Sequence, residues 1–269
     1  MIKSPLRYPG GKSRAVKFLY QFIPEYREFR ELFFGGGSVM FYCMQMHPEA
    51  RYQANDLNYD LFCFWHQLSL NKERLIKAIW AIKNNRKNGR ELFYELVEAR
   101  KNGLPDFQRG VDFFVLNRIT FSGVVDSGGY SEQAFQKRFT DSSIERLEKA
   151  HQIAKNIDFT ATDYTKILHS AGKDVFVFLD PPYFSATRSK LYGKRGALHV
   201  QFDHERFARE MKNCPHKWLI TYDNSDFIRE LFSDFHQLEW ELQYGMNNYK
   251  RNFASKGKEL LIANYPLKP

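Results

Sequence analysis

The segment that most constrains this chain is Val175-Phe176-Val177-Phe178-Leu179, which runs directly into Asp180-Pro181-Pro182-Tyr183. Five apolar residues dominated by valine and phenylalanine have the length and composition of a strand buried on both faces, as parallel strands are. Parallel strands need crossover connections and covered faces, so the segment predicts an α/β fold. In open α/β sheets ligands bind in the crevice outside the carboxyl ends of the strands, where this carboxylate, these prolines and this ring fall. The prolines bring no N–H and stiffen the turn. The carbonyls of Asp180 and Pro181 are therefore expected to face outward as acceptors, with Tyr183 offering a flat face to a planar ligand. An amino group on a nucleobase fits such a trap.

The remaining pattern alternates at both ends of the chain and not in its middle. A helix over 13–22, a strand over 27–33, a helix over 38–46 and a short strand over 51–54 begin a doubly wound sheet. Further strands are expected at 157–160, 175–179, 217–221, 236–243 and 259–263. Between Leu57 and Ala150 no buried strand can be placed. Helices are expected there at 59–70, 72–84, 90–101, 111–120 and 142–155, with a glycine-rich turn at 123–130. The expected organisation is one α/β domain built from 1–56 and 151–269, interrupted by a mainly helical domain over 57–150.

With 269 residues, 43% apolar and 16% aromatic, the chain can bury a core of its own. Its longest apolar run is far shorter than a membrane span, and Met1 to Lys12 lacks the apolar core of a signal peptide, so a cytoplasmic protein without a membrane partner is expected. Cys43, Cys63 and Cys214 are too scattered for a disulfide framework, and the histidines lack metal-ligand spacing; no metal is expected. The net charge of +9 suggests a polyanionic partner. Basic residues bunch at 83–90, 188–195 and 250–258, and the last two runs interleave Tyr192, Tyr249 and Phe253. Any one run alone reads as a solvated loop; three together favour phosphate contacts.

Phe33-Phe34-Gly35-Gly36-Gly37-Ser38 lies between the first strand and its helix, where glycines admit close backbone approach and helix-terminal N–H groups face a ligand. Position 40 is Met, so the G-x-G-x-x-G fingerprint is incomplete, and the turn could equally serve packing. Asp56 ends the second strand, where nucleoside-binding folds hold ribose hydroxyls; Asp163 and Tyr164 follow the third. Either acid could instead cap a helix. Gly11-Lys12-Ser13 matches the end of a phosphate loop, but the first glycine of that motif would fall on Leu6 with too little chain before it for a strand, so ATP hydrolysis is excluded.

In combination, Leu6 to Lys12 (LRYPGGK), FFGGGSV, Ala54-Asn55-Asp56, a helical insertion and DPPY resemble, in that order, the Dam-type, alpha-group (D12 class) DNA adenine-N6 methyltransferases. The resemblance covers nearly the whole chain and extends through 116–123, 221–225 and 257–262. It implies a Rossmann-like S-adenosylmethionine-dependent methyltransferase fold with a mixed sheet. In the implied site, Tyr8, Gly11 and Lys12 meet S-adenosylmethionine, the lysine through the cofactor's carboxylate. Phe33, Gly35 and Gly37 form the loop beneath it, Asp56 holds the ribose, and Asp163 and Tyr164 line its adenine. Asp180 also borders the cofactor. The catalytic set is Asp180, Pro181, Pro182 and Tyr183: the Asp180 side chain and the Pro181 carbonyl accept the hydrogens of the target amino group, and Tyr183 stacks on an adenine flipped from duplex DNA.

The resemblance makes 57–150 a target-recognition domain with a hairpin near 121–139. Arg7, Arg118, Ser122, Asp126, Lys137, Arg138, Arg188 and Lys190 are the expected DNA contacts. GATC-specific members carry an arginine suited to guanine where Asp126 stands here, so that recognition sequence does not carry over. Double-stranded DNA is the expected partner, with no obligatory protein partner; pairing with a restriction endonuclease is one role open to such an enzyme. The competing readings are an RNA adenine methyltransferase sharing the same site and a non-catalytic DNA-binding protein with a degenerate methyltransferase fold.

Overall fold

The computed structural model describes residues 1–184, 202–242 and 257–268. Strands β1 (Glu28–Glu31), β2 (Arg51–Asn55), β3 (Asp158–Thr160), β4 (Val175–Leu179), β5 (Lys217–Asp223), β6 (His236–Leu242) and β7 (Gly257–Ala263) form a seven-stranded sheet in the order β3-β2-β1-β4-β5-β7-β6. The pairs through β5 are parallel, and β7 is inserted antiparallel between β5 and β6. The order 3-2-1-4-5 is that of a Rossmann-like doubly wound sheet, whose ligand crevice opens where the strand order reverses, between β1 and β4. Because β7 runs against its neighbours, its first residues reach the same edge of the sheet as the carboxyl ends of β4 and β5.

Side chains alternate across the sheet, and each face has its own core. Phe176 and Phe178 of β4 join Phe29, Ala54, Leu219 and Leu261 in one cluster, with α1 (Val16–Tyr20) and α2 (Ser38–Met46). Val175, Val177 and Leu179 join Ile220, Leu260 and Ile262 in the other, covered by α9 (Tyr164–Leu168), α10 (His204–Lys212) and α11 (Asp226–Leu231).

Between β2 and β3 the described chain is helical: α3 (Tyr59–Leu70), α4 (Lys72–Asn85), α5 (Gly89–Ala99), α6 (Asp106–Ile119), α7 (Glu132–Arg138) and α8 (Asp141–Ala154). Leu61, Phe64, Trp65, Phe114, Leu116 and Ile144 from these helices enter the same core as Phe29 and Ala54. The helical section therefore packs directly on the sheet. No helix among the described residues is long and apolar enough to cross a membrane.

The segment 121–139 differs from the expected hairpin. A short 3-10 turn over Phe121–Gly123 and a single bridge between Thr120 and Tyr130 are followed by α7. The Ser131 side chain caps this helix by accepting from Ala134 N, with Glu132 in the first turn and Lys137 and Arg138 in the last. These placements suit the helix dipole, and no alternating apolar run competes for a strand. Helices α9, α10 and α11 were not anticipated.

Arg30 shows how the sheet is tied to its covering layer. Its side chain is 2% exposed and bonds Glu28 at 2.6 Å, the Ile167, Ser170 and Ala171 carbonyls at 2.8–3.0 Å. Replacing one member of such a buried array leaves its partners unpaired. Arg30→Ala is therefore expected to cost about 3–5 kcal/mol of stability in urea unfolding, and a loss below about 1 kcal/mol would contradict this role.

Candidate active site

The period of two carries three polar side chains to one crevice. Asp180 continues the Phe176–Phe178 face of β4, Thr221 the Leu219 face of β5, and Glu259 the Leu261 face of β7. Lys12 Nζ donates to both Asp180 oxygens at 2.7 Å and to the Gly10 carbonyl at 3.1 Å. The Lys12 side chain is 3% exposed and that of Asp180 21%. Thr221 Oγ1 donates to Asp180 Oδ1 at 2.7 Å. Among the described residues, Oδ1 thus receives two donors and Oδ2 one. A carboxylate has about four lone-pair directions, so one on Oδ2 remains for a further donor.

Tyr183, part-exposed, donates its hydroxyl to Glu259 Oε2 at 2.9 Å, and its ring packs on Tyr222 with centroids 5.9 Å apart. Burial pushes the Glu259 carboxyl up to about 7; Lys12 opposes the rise, and the charges of Asp180 and Asp223 add to it. The turn leaves the site through Phe184, whose N–H donates to Asp223 Oδ1 at 2.7 Å.

Across the switch point lies the glycine-rich turn. Gly35 and Gly37 hold φ of +49° and +66°, and a Cβ at Gly37 would meet the Phe34 ring at 2.3 Å. A Cβ at Gly35 would meet the Tyr8 ring at 2.6 Å, so Gly35 lets the entry segment close over the turn. Gly35 N donates to Asp56 Oδ2 at 2.8 Å, and the Gly35 carbonyl accepts from Trp65 Nε1 at 3.0 Å. Asp56 Oδ1 accepts from Asn58 N. Burial pushes the Asp56 carboxyl up to about 6 against these two backbone donors. Asp163 caps α9 through Thr165 N and also meets Arg206 at 3.2 Å. Burial would raise its pKa, but the Thr165 and Arg206 donors outweigh it and hold the carboxyl below the usual range. The Tyr164 ring lies against Phe33, Phe202 and Phe207, and its buried hydroxyl has no partner among the described residues.

With the crevice defined, similarity to known proteins decides its class. Residues 8–246 match the profile of the D12 class N6 adenine-specific DNA methyltransferases. The chain belongs to this family. It is 22% identical to a type II methyltransferase of Methanocaldococcus jannaschii over 98% of this chain and 99% of that one. It is 23% identical to a type II methyltransferase of Lactococcus lactis subsp. cremoris, over 96% of this chain and 94% of the other. A DNA adenine methylase of Vibrio cholerae is 26% identical over 66% of this chain and 64% of its own. The protein is an S-adenosylmethionine-dependent, adenine-specific DNA methyltransferase.

The structure gives several of the expected site residues of the methyltransferase partners within the chain. Lys12, expected at the cofactor's carboxylate, is engaged by Asp180, because a buried ammonium requires a paired anion. Arg118, expected at DNA, is 3% exposed and donates to the Pro5 carbonyl and to Asn117 Oδ1. It is a strut: Asn117 also bonds the Arg7 backbone at both N–H and carbonyl, fastening the entry segment to α6. Asp126 does not stand free to read a base; it pairs with Arg100, which also binds Asp60, and accepts from Asn58. Lys137 and Arg138 are exposed, and Ser122 sits in the turn at φ 55°. Arg188 and Lys190 lie outside the described residues. Thr221, Glu259 and Trp65 were missed; the first two lie in segments carrying the family resemblance, and only their strand register assigns them to the site.

The Asp56 shift has a checkable consequence. Its folded value near 6 lies above the ordinary 3.8, so the folded chain holds this proton more tightly than the unfolded chain. Wild-type stability should therefore fall relative to Asp56→Asn as pH rises from about 4 to about 6 and then stay level. Urea unfolding of both proteins across this range tests it; a constant difference would contradict the assignment.

Proposed function

We propose that the crevice transfers a methyl group from S-adenosylmethionine to the N6 amino group of an adenine turned out of duplex DNA. The observation that carries this reading is the fixed Asp180 carboxylate, held by Lys12 and Thr221 with one Oδ2 lone-pair direction open, beside the part-exposed Tyr183. Asp180 Oδ2 would accept one N6–H and the Pro181 carbonyl the other, while Tyr183 stacks on the base. Such acceptors favour a pyramidal amine, localise its lone pair and stabilise the positive charge that builds on nitrogen. Once nitrogen carries four bonds it is strongly acidic, so Oδ2, already bonded to one hydrogen, can take the proton without being a strong base.

The residues present fit the cofactor. Tyr8, Gly11, Phe33 and the cradle at Gly35 and Gly37 would bound it. Asp56 retains lone pairs for ribose hydroxyls, and Asp163 and the Tyr164 hydroxyl, which has no partner among the described residues, would border the adenine. S-adenosylmethionine supplies a methyl group already activated on a sulfonium, so the protein's task is alignment and desolvation.

We assign 1–56 and 151–269 to catalysis and 57–150 to target recognition. The DNA-facing edge would run from Arg7 past Ser122 to Lys137 and Arg138. Phe121, 70% exposed in the turn, stands on this edge. Arg118 lies within electrostatic range of Arg7, Arg138 and Arg146, and Arg7 within range of Arg138; burial first, and then these neighbours, push Arg7 and Arg118 down. Such a corner favours a polyanion.

Labelled methyl groups should appear as 6-methyladenine in duplex DNA and disappear with Asp180→Ala. Label in RNA but not in duplex DNA would overturn the DNA reading. Replacing Lys137 and Arg138 together by alanine should weaken DNA binding and reduce the slope of log affinity against log salt by about 2. An unchanged slope would remove them from the phosphate contacts.

A further inference from the structure

Glu259 occupies an unusual position for a carboxylate. It is 1% exposed in β7, between β5 and β6, and the strand continues as Leu260-Leu261-Ile262. In register it stands between Asp223 and Trp240. Its Oε2 accepts from the Tyr183 hydroxyl at 2.9 Å, while Oε1 has no partner among the described residues. Burying a carboxylate with one oxygen unpaired is costly, and packing alone would be served better by an apolar side chain.

We propose that Glu259 is a positioning residue for methyl transfer, fixing the orientation of the Tyr183 ring through its phenol hydroxyl. The inference rests on the role of Tyr183 proposed above. Two prolines stiffen the backbone before Tyr183, Tyr222 packs against its ring, and the tether to Glu259 fixes the far end. A ring held at both ends presents one face; a ring held only at Cα samples several, and fewer encounters with the base are productive.

The tether is also sensitive to charge. Lys12 and Asp180 from the catalytic centre, Asp223 from β5 and Tyr183 from the turn act on Glu259, and burial with these neighbours brings its titration to about 7. The ionised form accepts the stronger, charge-assisted bond. Lowering the pH through this range should weaken the hold on Tyr183.

The test uses the full chain: wild type, Glu259→Gln, Tyr183→Phe and the double variant, in single-turnover methylation of unmethylated duplex DNA from pH 6 to 9. At pH 8 each single variant should be about tenfold slower, with DNA and S-adenosylmethionine affinities changed less than about twofold. The double variant should be no slower than the slower single, because both changes act on the same bond, Glu259→Gln by removing its charge and Tyr183→Phe by removing its donor. The wild-type rate should decline below pH about 7, and that limb should vanish in Glu259→Gln. Should Glu259→Gln fail to fold, Tyr183→Phe carries the test, since without the phenol the limb should vanish there too. Multiplicative losses, wild-type rates in both single variants, or an acid limb that survives in either variant would overturn the proposal. Absence of 6-methyladenine with wild type would overturn instead the functional reading on which it rests.

Discussion

The bond from Lys12 to Asp180 is the constraint around which the site is built. It joins residues 168 positions apart and brings the entry segment against the carboxyl end of β4. A carboxylate at this depth stays in place only with a cation and donors to satisfy it, and Lys12 and Thr221 provide both. Lys12 can reach it only because the entry segment is fastened elsewhere: Asn117 and Arg118 hold residues 5–7 against α6, and the Tyr8 ring lies over Gly35 and Gly36. The helical section thus contributes to the environment of the Asp180 carboxylate as well as to the proposed DNA edge.

The antiparallel β7 adds what a purely parallel sheet would not. Its first residues lie where the parallel strands end, so Glu259 reaches Tyr183 from inside the sheet. The crevice is then lined by β4, β5 and β7 on one side and by the turns after β1, β2 and β3 on the other. On the proposed reading the first group handles the amino group and the second the cofactor. The two groups meet at the point where strand order reverses.

Much of this was legible in the sequence. The run 175–179 admits little besides a buried parallel strand, and the tetrapeptide after it falls at that strand's carboxyl end, in the crevice. Helices 38–46 and 59–70 could be bounded to the residue: the first begins directly after the glycine-rich turn, and Asn58 caps the second by accepting from Leu61 N. Helix α10 was readable and overlooked: Asp203 caps it by accepting from Arg206 N, and the helix is amphipathic. Other side chains have partners that sequence neighbours do not encode. Arg118 has the character of a phosphate contact, but its fate is set by the Pro5 carbonyl. Asp126 is claimed by Arg100, and Glu259 gains its role from a hydroxyl 76 residues away.

The most direct test of the account is Lys12→Met, studied by S-adenosylmethionine binding together with single-turnover methylation. If Lys12 fixes Asp180, methyl transfer should fall by about a hundredfold while cofactor affinity changes less than about threefold. A large loss of cofactor affinity with the single-turnover rate at saturation preserved would contradict the account, and would place Lys12 at the cofactor's carboxylate instead.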